Sequence, residues 1–289
     1  MLKFFNNSEF KMIIKSSNYT IVEHPENILG EGLHICSTGI YWLDIIEKKL
    51  FVKLNEYNFQ EFNLPEQASS IWKVDDQLVY LVSESGIFTY DLKTNNSSVF
   101  MSMSTNDLLP SMRANDGVGV NDQCCFYGTM EKQPLGSNGA LYIATEQEIS
   151  KVYDGIGIPN SFIRVNEFSF LVSDSLESLI YLFTFNAKFT TIVRKDLWLD
   201  LSDSGITPDG GCIDRKGNIY IAMWDGHCIN KYDKNANLLS IFELPVPRPT
   251  NCKLSLDEES LYVTSAREGL TVNDLKNSPN SGALFKIEL

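Results

Sequence analysis

The sequence predicts an all-β protein, a six-bladed β-propeller with four-stranded antiparallel blades. Three observations carry that expectation. Few stretches hold a helical period, while many short runs are apolar, or alternate apolar with polar, and end at Gly, Asn, Asp or Ser. The runs recur in units of about 40–50 residues, the period of a propeller blade. A radial ring also explains how one domain fills 289 residues, because closing the ring protects the blade edges.

The elements follow in order. The opening "MLKFFNNSEFKMIIKSS" has two short apolar patches broken by polar residues, without the continuous apolar segment of a signal peptide. Residues 1–17 therefore read as an N-terminal extension of a single domain spanning 1–289. "NYTIVEH", from Asn18, reads as a strand. The runs "GIYWLDI", "QLVYLVS", "GIFTYDL", "CCFYGTM", "GALYIAT", "FSFLVSD", "LIYLFTF", "NIYIAMW", "CINKYD" and "SLYVTSA" follow. Three unit starts resemble one another: "GIPNSFIRVNEFSFLVSDS", "ITPDGGCIDRKGNIYIAMW" and "PRPTNCKLSLDEESLYVTSA". Asn160, Asp209 and Thr250 fill one column after proline, and counting from Gly30 gives about six units. The last unit, ending "GALFKIEL", is a strand short, and "NYTIVEH" is the segment expected to complete it and lock the ring.

Composition narrows the function. A net charge of −13 argues against nucleic acid and against an anionic membrane surface, both of which need clustered Lys and Arg. No apolar run approaches membrane-spanning length, and the expected location is cytoplasmic. The six cysteines include no Cys-x-x-Cys pair, so they read as reduced core residues rather than a zinc clip. "DKNANLL", from Asp233, begins like a calcium loop, but Leu238 and Leu244 replace the Gly and Glu such a loop requires. The three histidines form no His-Glu-x-x-His, and no Gly-x-Ser-x-Gly is present.

Loops at equivalent points of a propeller meet around its channel. The candidates there are Glu31 in "LGEG", Arg113, Asn115 and Asp116 in "RANDG", Asn160 in "IPN", and Asp209 in "TPDG". Glu31, Asn160 and Asp209 are oxygen donors suited to a hard divalent ion. Arg113 and Asn115 are donors suited to hydroxyl or carbonyl oxygens. Taken singly, each also reads as an ordinary loop residue. "PDG" is a turn, Arg113 a salt-bridge partner, and Asn115 and Asp116 a turn before Gly117. Their shared place in the repeat favours the joint reading.

The ordered set "LGEG…GIYWLDI", "RANDG…FYGTM", "GALY", "IPN…VSDS", "TPDGGCIDRKGNIYIAMW", "ELPVPRPTNC" and "LYVTSAR" resembles the regucalcin (senescence marker protein), gluconolactonase and luciferin-regenerating enzyme family, from about Gly30 to the C-terminus. The resemblance implies one divalent metal near the top of the channel, held by Glu31, Asn160 and Asp209. It also implies substrate contacts from Arg113 and Asn115, and Asp209 as general base. Oxygen ligands favour calcium, and zinc, magnesium or manganese also suit such a site. The chain departs from the family pattern in three places. Ser161 stands where the family usually has Gly. "RVNEFS" replaces an Asp-Gly turn. "EKQPLG" follows Met130 where sugar lactonases often carry an acidic substrate contact, a place Glu131 could fill. The expected activity is hydrolysis of a lactone, a sugar (aldono-) lactone, with the metal as Lewis acid and Asp209 taking the proton of the attacking water. The alternatives are a different cyclic ester or an organophosphate, or a non-catalytic metal-binding propeller with a regulatory or interaction role. The oligomeric state is left open.

Overall fold

Aromatic and β-branched runs between turn residues become strands throughout the chain. The computed structural model describes residues 14–16, 18–104, 107 and 109–289. Blade I holds β3 (Gly30–Cys36), β4 (Gly39–Asp44), β5 (Lys49–Asn55) and β6 (Asn58–Asn63). Blade II holds β7 (Ala68–Asp75), β8 (Leu78–Ser83), β9 (Gly86–Asp91) and β10 (Asn96–Ser102). Blade III holds β11 (Met112–Asn121), β12 (Cys124–Glu131), β13 (Gly139–Thr145) and β14 (Ile149–Ile156). Blade IV holds β15 (Pro159–Arg164), β16 (Ser169–Asp174), β17 (Leu179–Phe185) and β18 (Ile192–Asp200). Blade V holds β19 (Thr207–Ile213), β20 (Ile219–Trp224), β21 (Cys228–Tyr232) and β22 (Leu238–Glu243). Blade VI holds β23 (Pro249–Leu254), β24 (Ser260–Ser265) and β25 (Leu284–Glu288) from the C-terminal part. Its fourth strand is β2 (Tyr19–Glu23), antiparallel to β25 with Tyr19 opposite Ile287. The segment expected to close the ring does so.

The expected extension over residues 1–17 lies outside the described residues except for β1 (Ile14–Ser16), which pairs in parallel with the outer strand of blade V, Ile14 opposite Ser240. The single helix among the described residues is α1 (Val272–Asn277), in the β24–β25 connection. Thr271 caps it, exchanging hydrogen bonds with Asp274 in a capping box. Among the described residues no helix is long and apolar enough to cross a membrane.

The first strand of each blade is the innermost. β3, β7, β11, β15, β19 and β23 lie against one another in that order, and β23 returns to β3. The hydrophobic core is divided among the seams between blades. Leu43, Val52, Leu81 and Phe88 fill the seam of blades I and II. Trp72, Val82, Tyr127 and Tyr142 fill II and III. Phe126, Phe162, Phe170 and Phe183 fill III and IV. Ile163, Leu171, Ile221 and Met223 fill IV and V, and Tyr220, Ile229, Val263 and Phe285 fill V and VI. The last seam, where blade VI meets blade I, rests on Leu33, Trp42, Phe51 and Leu284. There the rings of Trp42 and Phe51 stack at 5.2 Å.

Each inner strand carries a break in its pairing register. The breaks fall between Glu31 and His34, Ala114 and Gly117, Asn160 and Ile163, Pro208 and Gly211, and Pro249 and Cys252, with two in β7 and a second in β11 between Gly119 and Asn121. A bulge puts two residues opposite one and re-aims the side chains around it. Bulges at one level in every blade gather those side chains at one end of the channel.

Candidate metal and substrate site

All the predicted residues except Glu131 sit at or beside these bulges. Glu31 and Asn160 hold the last paired position before the bulge. Asn115, Asp209 and Thr250 are the first bulged residue, and Asp116 and Asn251 the second. The proline column of the sequence thus holds for Asp209 and Thr250 and is one residue out of register for Asn160.

Two local devices allow this geometry. Gly32, after Glu31, has φ +60, and a Cβ there would lie 2.7 Å from Leu43 Cδ1 and 2.9 Å from Ser69 O. Only glycine fits such a place. In blade IV the equivalent residue is Ser161, at φ +76. Its hydroxyl offsets the strained backbone: it donates to Asp209 O at 2.6 Å and accepts from the Ser173 hydroxyl at 2.6 Å. The departure from glycine noted in the sequence therefore adds a tie between Asn160's neighbour and Asp209. Ser175 makes a second tie, donating to Pro208 O at 2.6 Å and accepting from Asn160 Nδ2 at 2.9 Å.

The polar side chains form a connected set. Arg113 Nη1 donates to Asn115 Oδ1 at 2.7 Å and to Ala114 O at 2.9 Å. Asn115 Nδ2 donates to Asn160 Oδ1 at 2.9 Å and to Pro159 O at 3.0 Å. Both amide protons of Asn115 are thus held by blade IV, and a substrate oxygen taking one must displace a partner. Asn251, which sequence reasoning missed, donates to Glu31 Oε2 at 3.1 Å. Thr250, the residue the column singled out, instead donates to Gly30 O and bonds Thr264, holding blade VI to blade I. The signal for Asn251 was its place one residue after Thr250 in "PTN", legible only once the bulge is known. Glu131 lies at the end of β12 opposite Met112, next to the Arg113–Met130 pair, and its Oε2 accepts from Leu135 N at 3.1 Å.

Electrostatics set the character of the site. Burial, then repulsion from Asp116, pushes Glu31 up to about 8, although Asn251 and the Gly32 amide favour its charged form. Burial, then Glu31 and Asp116, pushes Asp209 well above the usual carboxylate range. Burial raises Asp116 to about 6. Burial lowers Arg113, opposed by the charges of Glu268, Glu31 and Asp209. Asp116 Oδ2 and Asn251 Oδ1 are buried without a hydrogen-bond partner. A buried polar oxygen without a partner is costly. Carboxylates crowded in low dielectric need a proton or a cation. Oxygen donors, mutual repulsion and orphaned oxygens together fit a hard divalent ion. Among the described residues no three His, Cys, Asp or Glu side chains gather closely enough to hold a metal by themselves. The expected set has two carboxylates, Glu31 and Asp209, and depends on the amide of Asn160.

Residues 29–267 match the family described as the SMP-30/Gluconolactonase/LRE-like region. Regucalcin of Oryctolagus cuniculus is 25% identical over 91% of this chain and 93% of its own length. Pentonolactonase XacC of Haloferax volcanii is 28% identical over 61% of this chain and 62% of its own length. Among solved structures, a calcium-binding protein, regucalcin, from Agrobacterium tumefaciens superposes with a TM-score of 0.88 at 23% identity, covering 95% of this chain and 94% of that one. A gluconolactonase from Xanthomonas campestris superposes at 0.73 with 15% identity, covering 94% and 89%. Those superpositions show a common fold, and the family match spans most of the ring and every proposed site residue. The chain belongs to the SMP-30/gluconolactonase/LRE-like family.

Proposed function

We propose that this protein is a divalent-metal-dependent hydrolase of a lactone, with a sugar (aldono-) lactone as substrate. One observation carries the reading: Glu31, Asp209 and Asp116 are buried together at one channel mouth, each resisting ionisation, beside a partly buried Arg113. Two relatives named as lactonases, one by sequence and one by fold, supply the reaction class. Glu31, Asn160 and Asp209 would hold the metal, and calcium is the first to test because the Agrobacterium relative is described as calcium-binding. A bound divalent ion supplies Lewis acidity toward a lactone carbonyl.

The chain's own groups do the rest. Asp209 is fixed on both sides, since blade IV serines hold the carbonyls of Pro208 and Asp209, so its carboxylate is aimed before substrate arrives. Once ionised, it accepts the proton of the attacking water. Arg113 orients substrate oxygens with the guanidinium N–H groups that Ala114 and Asn115 leave open. Asn115 steadies Arg113 and Asn160 together. Glu131 reaches substrate only by releasing the Leu135 amide. The free state of all six cysteines supports a cytoplasmic location.

The test is a hydrolysis assay titrated with metal over a panel of sugar lactones. Metal-dependent turnover that is lost in Asp209→Ala supports the reading. Retained turnover in that variant on every lactone cleaved overturns it. Saturable metal binding with no turnover on any lactone points to the non-catalytic role instead.

A further inference from the structure

The opposite mouth of the channel carries a recess that lactone hydrolysis does not use. The inner strands begin at the carboxylate end, and the recess lies where β3, β19 and β23 finish. It is a cavity of about 330 Å³ whose lining includes His34, Cys212, Arg215, Lys253 and Glu258.

The donors there are only partly used. The Lys253 ammonium donates to Gly211 O at 2.8 Å, which leaves two N–H groups, and no carboxylate among the described residues pairs with it. His34 packs edge-on against Tyr41 and has no hydrogen-bond partner among the described residues. Burial, then the Lys253 charge, holds its imidazole down to about 4, so at neutral pH the ring is uncharged and offers one N–H. Arg215 stands at the rim with its side chain 72% exposed, donating to Leu256 O at 2.8 Å and lying 3.6 Å from Glu258. Two cations against one carboxylate make this recess positive, in a chain whose net charge is −13. The half-buried Lys253 ammonium also favours the ionised form of Asp116, and its open N–H groups face a recess where a second charge is less screened than in bulk water.

We propose that this recess binds a small oxyanion of the phosphate class, held by Lys253, the His34 ring and Arg215. The arrangement supplies a half-buried point charge, a neutral donor and a planar fork, the donor types that phosphate oxygens use. The site is separate from the metal ligands and does not rest on the proposed reaction.

The test is calorimetric titration of inorganic phosphate into the full chain, held metal-free with a chelator so that no metal captures the anion. Saturable one-to-one binding is expected at neutral pH. Lys253→Met should weaken it at least about tenfold, a loss typical of one charge-assisted contact. Asp209→Asn, at the far mouth, should leave it unchanged. Because Lys253 also joins two blades, the exposed Arg215→Met serves as a second variant, expected to weaken binding about threefold while melting like wild type. No saturable binding by the wild-type chain overturns the proposal, as does loss of binding in Asp209→Asn with retention in both cation variants. Acetate competing as well as phosphate overturns the phosphate class.

Discussion

Glu31 links the site to stability. An unperturbed glutamate titrates near 4.5, and burial lifts this one to about 8. Between those values the folded protein keeps a proton that the unfolded chain releases, so stability falls as pH rises. His34, at about 4 when folded and 6.5 when free, acts in the opposite sense but is finished by pH 6.5. Asp116 is finished by about 6. From pH 6.5 to 8 the metal-free protein should therefore lose stability, by at most about 1.4 kcal/mol per pH unit for each carboxylate still titrating. Glu31→Gln should flatten that slope, and saturating calcium should remove it. Melting curves across this window decide the matter, and an unchanged slope in Glu31→Gln would contradict it. On the catalytic side, Asp209→Ala should cost about 10²–10⁴-fold in turnover, whereas Glu131→Gln should change turnover less than about threefold, since that carboxylate caps its own loop. A steady-state comparison of the two variants separates a base from a loop cap.

At the scale of the strand, the bulge is the element that brings the candidate site residues together. The strands themselves were legible, because period-2 patterning and turn residues mark them in the sequence. Asp209 was legible as well, since its place after proline in the repeat matches the first bulged residue of β19. The bulges were not. An extra residue in a strand leaves no signature in composition, so a proline-anchored column placed Thr250 where Asn251 does the work and put Asn160 one residue out of register. Gly210 tests the point. A Cβ there would lie 2.4 Å from Asn251 Cγ, so Gly210→Ala should push Asn251 away from Glu31 and weaken metal binding at least about tenfold while the fold persists. Calorimetry with calcium reads that loss. Ser161→Ala removes the tie to Asp209 and leaves the strained φ, and should cost about 1–3 kcal/mol, whereas Ser161→Gly, which relieves the φ, should cost less. Chemical denaturation of the pair orders the two.

Across the whole molecule, six seams share the core and none is dispensable. The seam of blades VI and I rests on few side chains, with Trp42 stacked on Phe51. Trp42→Ala should destabilise the fold by about 3–5 kcal/mol, a loss that denaturant titration would show. Removing β2 strips blade VI of its outer strand and bares the edge of β25. The truncated chain should melt lower and aggregate, and an unchanged melting temperature would contradict the role given to that strand. Ring closure by the N-terminal strand also orders events in time. During synthesis β2 leaves the ribosome before any blade exists, while its partner β25 is made only after the five intervening blades. At roughly 5–20 residues per second that delay lasts tens of seconds. Throughout it the nascent chain carries an unmatched edge, and the channel with its gathered carboxylates has no finished wall. Ions present during translation meet only scattered side chains, so the proposed metal would load only after closure of the ring.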